Sequence, residues 1–283
     1  MNTAGEAFES WQGRVETLTD VVSLQPVRAL AALLDRQDDY RVGDELPPPA
    51  HWLYFLPAAR QSELGDDGHP RRGGFLPPVP LPRRMWAGSR IDFHRTLQVG
   101  EQISRTSRIA AVSSKQGRSG SLVFVRVAHE IRSGEALAIT EEQDIVYRDA
   151  PQSSAAPAPT PAPGEPLWRR EIVPDPVLLF RYSALTFNAH RIHYDRHYAT
   201  QVEHYPGLVV HGPLIATLLL DLVHRSRPAA RVRRFSFRAV SPLFDLARFF
   251  VCGKPDASEP GVLHLWAQDE AGMLALEAQA LLA

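Results

Sequence analysis

Between residues 181 and 213 the chain collects side chains that can move protons near neutral pH. The run Arg181-Tyr182-Ser183-Ala184-Leu185-Thr186-Phe187-Asn188-Ala189-His190-Arg191-Ile192-His193-Tyr194-Asp195-Arg196-His197 is followed by Gly207-Leu208-Val209-Val210-His211-Gly212-Pro213. Histidine titrates close to neutrality, so His193 can take a proton from water and return one to carbon. Asn188 stands five residues earlier. Across a tight turn its carboxamide, donor and acceptor at once, can hold the water that the imidazole activates. Gly212 opens an apolar stretch that reads as a helix. Backbone N–H groups at a helix start have no partner there, and the helix dipole favours negative charge, so a carbonyl against Gly212 would be polarised as an enolate forms. Glycine permits that close approach because it has no side chain.

Two other readings of the same residues compete. The histidines could be surface residues and a satisfied core residue. His190, His193, Asp195 and His197 could also ligate zinc or iron. Against a metal, residues two apart on a helix do not face each other, and the chain has no HExxH pattern. Asp195 reads as the cap of a helix from Arg196 to Val202 rather than as a chemical group. Tyr182 and Ser183 read as scaffold, since no GxSxG elbow surrounds Ser183.

The elements that must position these groups fall into two sets. Residues 150–166, APQSSAAPAPTPAPGEP, are almost wholly Ala, Pro and Ser. Such a stretch favours extended geometry and cannot build a core, so it divides the chain into residues 1–149, a linker at 150–166, and residues 167–283. In the first part Ser23 and Pro26 start a helix whose Leu30, Leu33 and Leu34 share a face. A loop rich in Gly and Pro spans Gly65 to Gly88, and strands are expected at Arg90–Leu97, Gln102–Val112, Ser121–Ile131 and Ala136–Tyr147. In the second part Pro213–Val223 is apolar nearly all round, as a helix buried in the curve of a sheet would be. Strands are expected at Val232–Val240, Ala247–Gly253, Val262–Gln268 and Leu274–Leu282. A weak echo links Asp92-Phe93 to Gly100-Glu101 with Ser236-Phe237 to Phe244-Asp245. The expected fold is α+β, a double hot dog, with two antiparallel four-stranded meanders each wrapped around a long helix.

Composition narrows the function. The 283 residues are 44% hydrophobic, enough for one large core or two small ones. A formal net charge of -1, with no long basic run, argues against nucleic acid as a partner. The single cysteine, Cys252, excludes an internal disulfide and reads as a small core residue in an apolar strand. The longest apolar run, Leu214–Val223, is about half of what a bilayer requires, so no membrane is expected. Met1–Trp11 holds Glu6 and Glu9 and no basic residue, unlike a signal or transit peptide. A cytoplasmic location follows as an expectation.

The motif residues resemble those of the MaoC-like, R-specific enoyl-CoA hydratases. Ile192-His193-Tyr194-Asp195 matches the end of that family's Tyr-x-x-x-Ser-Gly-Asp-x-Asn-Pro-Ile-His-x-Asp pattern, and His211-Gly212-Pro213 matches its downstream His-Gly-Met. The resemblance implies that His193 is the catalytic histidine. The family aspartate falls on Asn188, the asparagine on His190 and the proline on Arg191. Asn188 cannot act as a base, so His193 is expected to handle the proton alone while Asn188 orients water. This variant is similar to the branch holding type 2 hydroxyacyl-thioester dehydratases and the mesaconyl-CoA and itaconyl-CoA hydratases. Phe75–Gly88, Lys115–Gly120 and Glu141–Tyr147 resemble that branch as well. The first half lacks the His-x-Asp motif, and the resemblance implies that it forms the acyl pocket without catalytic residues.

The expectation is a hydro-lyase that reversibly hydrates or dehydrates a coenzyme A thioester with no cofactor and no metal. Catalysis is assigned to His193, Asn188 and Gly212. Substrate contacts are assigned to Arg191, Arg181, His190, Arg83, Arg84 and His211. A guanidinium pairs well with a free carboxylate, and Arg191 replaces the motif proline, which favours a short branched dicarboxylic acyl group such as itaconyl or mesaconyl, giving citramalyl-CoA. The same arginines could instead bind coenzyme A phosphates. Straight-chain 3-hydroxyacyl thioesters are the alternative substrates. A hot dog thioesterase would place an acid on the central helix, where only Asp221 occurs, and late; a non-catalytic acyl-CoA-binding protein would turn nothing over. Both a monomer and a homodimer are compatible with a fold that satisfies one sheet edge internally.

Overall fold

The computed structural model describes residues 6–117, 120–149 and 158–283. Its strands form one ten-stranded sheet. The first half contributes β1 (Val15–Val21), β2 (Arg83–Phe93), β3 (Gln102–Gly117), β4 (Gly120–Ser133) and β5 (Ala136–Arg148). The second contributes β6 (Trp168–Ile172), β7 (Val232–Ala239), β8 (Phe249–Pro255), β9 (Val262–Asp269) and β10 (Leu274–Leu282). The order is β1-β3-β4-β5-β2-β7-β10-β9-β8-β6, antiparallel throughout. This order is a palindrome, in which each half has the same topology and the two meet at the β2–β7 pair.

The meander expected in each half is corrected. β2 and β7 pair with the last strand of their sets, β5 and β10, and not with the next strand. The reason is a crossing connection. After β2 the chain caps β5 through His94 N–H and Arg95 N–H to the Ala138 carbonyl, then binds the Val22 and Asp44 carbonyls before β3 begins. The second half repeats this, with Val240 N–H and Ser241 N–H on the Ala275 carbonyl. The weak sequence echo falls on these matching crossings.

Three α-helices pack on the sheet: α1 (Leu24–Leu33), α2 (Pro176–Leu185) and α3 (Gly212–Ser226). α3 is the expected buried helix, and every residue from Leu214 to Val223 is buried. Burying one such leucine contributes roughly 1.5–3 kcal/mol, so α3 is held by its packing. α1 follows Ser23, which makes no side-chain cap. α2 was not expected, although Asp175-Pro176 marks its start: the Asp175 carboxylate accepts from Leu178 N–H at 2.7 Å. The edge strands β1 and β6 were also not expected. β1 is mostly exposed on both faces, which erases the alternation that identifies a strand.

The segment expected to be a linker is placed only in part, because residues 150–157 lie outside the described residues, as do Arg118 and Ser119 of the Lys115–Gly120 signature. Its later portion lies along β10: Ala162 N–H bonds the Gly272 carbonyl and Leu274 N–H the Thr160 carbonyl. Cys252 is fully buried in β8, as expected. Among the described residues no helix is long and apolar enough to cross a membrane.

Candidate active site

The turn that carries Asn188 is made by the end of α2. Thr186 closes the helix, Phe187 takes a left-handed conformation (φ 49°), and Asn188 N–H returns to the Ser183 carbonyl at 2.8 Å. This is the αL helix ending that glycine usually supplies, here borne by an exposed phenylalanine. Asn188 Oδ1 then accepts from His190 N–H at 3.0 Å, an Asx turn that aims the next residues. With its oxygen used locally, Asn188 retains its NH₂ group for the cavity it lines.

A single helical turn, Arg191–His193, carries the histidine. His193 Nδ1–H donates to the Val209 carbonyl at 2.7 Å, which fixes the tautomer and leaves Nε2 as the basic nitrogen. The ring stacks on that of His211, with centroids 3.7 Å apart and planes 18° apart. His211 is buried behind it, its Nε2 bonded to Ser183 Oγ at 2.9 Å. Ser183 is therefore scaffold, as expected. Burial lowers the His193 pKa to about 4, and it drives that of His211 well below the ordinary value. His193 is thus a neutral base at neutral pH.

α3 starts beside this ring. His211 occupies its N-cap position and provides no side-chain cap. A Cβ placed on Gly212 would meet no atom of the protein within 4 Å. Its missing side chain is therefore space in the cavity, next to N–H groups without helical acceptors. Asn188, His190, His193, His211 and Gly212 all line one cavity of about 760 Å³. Its floor continues over the first half's sheet, past Trp86, Ile145, Val127 and Phe55.

The assigned arginines separate. Arg181 is exposed on α2 and does not line the cavity. Arg191 is corrected to a clamp: it pairs with Asp195 at 2.7 Å, lies 4.3 Å over the Tyr198 ring, and donates to the Asp66 carbonyl at 3.0 Å. An arginine engaged by an acid one turn away satisfies its neighbour more readily than a ligand. Asp195 also caps the following turn, accepting from Tyr198 N–H at 3.0 Å, which bears out its reading as a cap. Arg83 lines the cavity but is paired with Glu203 at 3.0 Å. Arg84 lines it opposite Tyr147 in the β2–β5 ladder and has no acidic partner among the described residues. The metal set of His190, His193, Asp195 and His197 does not converge, since Asp195 turns to Arg191 and His197 is exposed.

Sequence reasoning missed Asp67 and His69, which the first half's loop brings into the cavity. Gly68 (φ 87°) is pressed on the turn after Asn188 so closely that a Cβ there would lie 1.9 Å from the Ala189 carbonyl oxygen. Arg191 N–H bonds the Asp67 carbonyl at 2.9 Å. His69 Nδ1 lies 3.1 Å from Asp67 Oδ2, and its ring is 4.1 Å from that of His190, which is 5.4 Å from that of His193. Asp67, His69 and His190 each offer a ligand atom within 4.8 Å of one another, and Asp67 and His69 already bond each other through Oδ2 and Nδ1. Burial opposes ionisation of Asp67, and the hydrogen bond and charge of His69 outweigh it, holding the carboxyl well below its usual range. Burial and the neighbouring His69 and His193 push His190 down to about 2. The only signal in the sequence was Asp66-Asp67-Gly68-His69, too short to point anywhere alone.

Asp221, the acid that a thioesterase reading would use, is excluded from the cavity. It is buried at the far end of α3, about 14 Å along the helix from Gly212, and pairs with Arg225 at 2.7 Å and with Arg170.

Comparison with known proteins places this geometry. The family model for hydroxyacyl-thioester dehydratase type 2 matches residues 49–245. The chain is 50% identical over 275 residues to a mesaconyl-C(4)-CoA hydratase of Chloroflexus aurantiacus, covering 95% of each. It is 30% identical over 246 residues to the mitochondrial hydroxyacyl-thioester dehydratase type 2 of Schizosaccharomyces pombe, covering 78% of this chain and 80% of that one. A Mycobacterium tuberculosis protein described as having a double hot dog fold superposes with a TM-score of 0.56 at 16% identity over 96% of each chain. The fold is a double hot dog.

Proposed function

The chain belongs to the hydroxyacyl-thioester dehydratase type 2 family, a hydratase and dehydratase of acyl thioesters, and we propose that His193, Asn188 and Gly212 carry its reaction on a short branched dicarboxylic enoyl-CoA of the mesaconyl type. The observation that carries the site assignment is the hydrogen bond from His193 Nδ1 to the Val209 carbonyl, which leaves a neutral Nε2 in a cavity shared with the N-terminus of α3. The Asn188 NH₂ holds water, His193 Nε2 removes its proton, and oxygen adds to the carbon β to the thioester. The charge that reaches the carbonyl oxygen is met by the N–H of Gly212. Addition and proton return on one face give a citramalyl-type 3-hydroxyacyl-CoA.

Two features support the dicarboxylic acyl group. One is the extent of identity with a relative named for mesaconyl-C(4)-CoA. The other is Arg84, a guanidinium in the cavity wall with no acidic partner among the described residues. In such a substrate the free carboxylate sits on the very carbon that takes up water, so its reader must lie near His193. Arg84 lines the same cavity as His69, His190 and His193. The apolar floor running over β5 and β4 favours a second reading, a straight-chain 3-hydroxyacyl thioester.

The test is turnover on a panel of mesaconyl-, itaconyl- and crotonyl-CoA and a medium-chain enoyl-CoA, read by mass spectrometry. Gain of one water on the dicarboxylic esters supports the reading. Hydration of the straight-chain esters alone replaces it with the second. Release of free coenzyme A with no hydration overturns both.

A further inference from the structure

Hydration moves two protons, one off the attacking water and one onto the α carbon. The second half alone supplies one proton-transferring side chain to the cavity. His193 has a single free nitrogen, because Nδ1 is committed to Val209. Asn188 does not ionise. His211 is fully buried behind His193, with Nε2 on Ser183. The first half's loop brings another imidazole to the same cavity, with its own carboxylate attached: His69, held through Nδ1 by Asp67 at 3.1 Å. A carboxylate that fixes one imidazole nitrogen and leaves the other free is how a general acid or base is oriented.

We propose that His69 is a second catalytic residue, the acid that delivers a proton to the α carbon, with Asp67 as its positioning partner. This rests on the hydration reading above. The oxygen lone pair of water forms the bond to the β carbon while its proton passes to His193 Nε2. The C=C electron pair moves onto the thioester as the enolate. When the enolate collapses, its electron pair takes the proton from Nε2 of the imidazolium of His69, the form that burial disfavours and that the bond and charge of Asp67 support, and forms the α C–H bond. His193 is left protonated and His69 neutral, and exchange with solvent returns both to their starting states, so the net change is the addition of one water. His190, packed 4.1 Å from His69 and 5.4 Å from His193, sets the spacing between the two rings. The loop reaches this position through Gly68, whose backbone closely approaches Ala189, and through Asp66 and Asp67 carbonyls held by Arg191. The first half therefore contributes to the chemistry and not only to the pocket.

The test compares wild type with His69→Gln, His69→Ala and Asp67→Asn on whichever enoyl-CoA the wild type hydrates, with circular dichroism confirming the fold of each. The expected result is a fall in kcat of about 100-fold or more for His69→Gln, with KM within about threefold. Asp67→Asn should lose less than His69→Gln. Added imidazole should restore part of the rate of His69→Ala, and dehydration of the α-deuterated 3-hydroxyacyl-CoA should show a larger isotope effect in His69→Gln than in wild type. An undiminished kcat, a loss confined to KM, or a folded His69→Ala that imidazole does not rescue overturns the assignment and makes His69 a binding or packing residue. Inactivity of the wild type on every enoyl-CoA sinks the hydration reading instead, and a wild type that is active beside an unimpaired His69→Gln sinks only this proposal.

Discussion

The two halves share a strand order and even matching crossing bonds, yet they treat the concave face of the sheet in opposite ways. In the second half Val210 N–H bonds the Leu243 carbonyl, and the next residues, His211-Gly212-Pro213, open a 15-residue helix that fills the curve. In the first half Leu46 N–H bonds the Leu97 carbonyl in the matching place, and the next residues are Pro47-Pro48-Pro49, followed by a single turn, Ala50–Leu53. Three prolines remove three N–H donors, so this end cannot form a positive helix terminus for an anion. The missing helix leaves the sheet face open, and the cavity that His193 lines runs over it. The chain released from the helix, residues 54–82, crosses to the other half and delivers Asp67 and His69 to the turn that carries His190 and His193.

Each half also buries histidines, put to different use. Glu141 is fully buried and accepts from His51 at 3.1 Å, Ser89 at 2.8 Å, Trp52 and Gln143. Burial alone would raise its pKa, but His51 and the other donors bring it down to about 2. A carboxylate so fully satisfied has no capacity left for a substrate and serves the fold. In the second half His193 has one nitrogen bonded and one free, which is what a proton-transfer group requires. His51 is also bonded through one nitrogen, but its Nδ1 is buried without a partner among the described residues, whereas the free nitrogen of His193 belongs to a ring that lines the cavity.

Four measurements would break or sharpen this contrast. The largest effect belongs to His193→Ala, expected to lower kcat by about 10²–10⁴-fold with the fold intact by circular dichroism; retention of most activity would remove His193 from the mechanism. Next, Glu141→Leu leaves His51 and Ser89 without their acceptor and should cost about 3–5 kcal/mol of stability in denaturant titration, while kcat per folded molecule is retained. A kcat loss there without a stability loss would make the first cluster functional. Arg84→Met should raise KM for a dicarboxylic enoyl-CoA about 10- to 100-fold, the worth of a charge-assisted hydrogen bond of about 1.5–3 kcal/mol, and leave crotonyl-CoA untouched; equal losses on both would assign Arg84 to coenzyme A. The smallest structural change is Gly212→Ala. Its added methyl meets no protein atom, so stability should hold or rise by about 0.4–1 kcal/mol, while kcat/KM falls because the methyl occupies the thioester's space. Unchanged activity would move the carbonyl away from this helix start.

The pH dependence has a definite sign. His193 and His129 are both lowered to about 4 by burial. Well above pH 6.5 neither state binds a proton at these sites. As pH falls from there toward 4 the unfolded chain takes up protons that the folded one refuses, so stability declines across that window. Tm measured over the same range should fall, while the initial rate, set by a neutral His193, should not fall with the ordinary histidine titration near 6.5. A rate that drops in step with that titration would place the base elsewhere.

The sequence by itself determined the inner strands of both halves, the buried α3, and the segment that holds Asn188, His193 and Gly212, but not the edge strands β1 and β6. Those features are local: alternation over a strand, apolar residues all round a helix, and an Asn and a His five residues apart across a turn followed by a His-Gly helix start. The Asp195 cap was legible for the same reason. Tertiary structure decided the rest. It decided strand order, because the crossings after β2 and β7 bond to carbonyls far along the chain, where no periodicity reaches. It decided which arginine is available, because Arg191 and Arg83 look alike in sequence until Asp195 and Glu203 are seen to hold them. And it decided that His69 stands beside His190, 121 residues later in the chain, since only the loss of the first half's helix frees a loop long enough to cross between the halves.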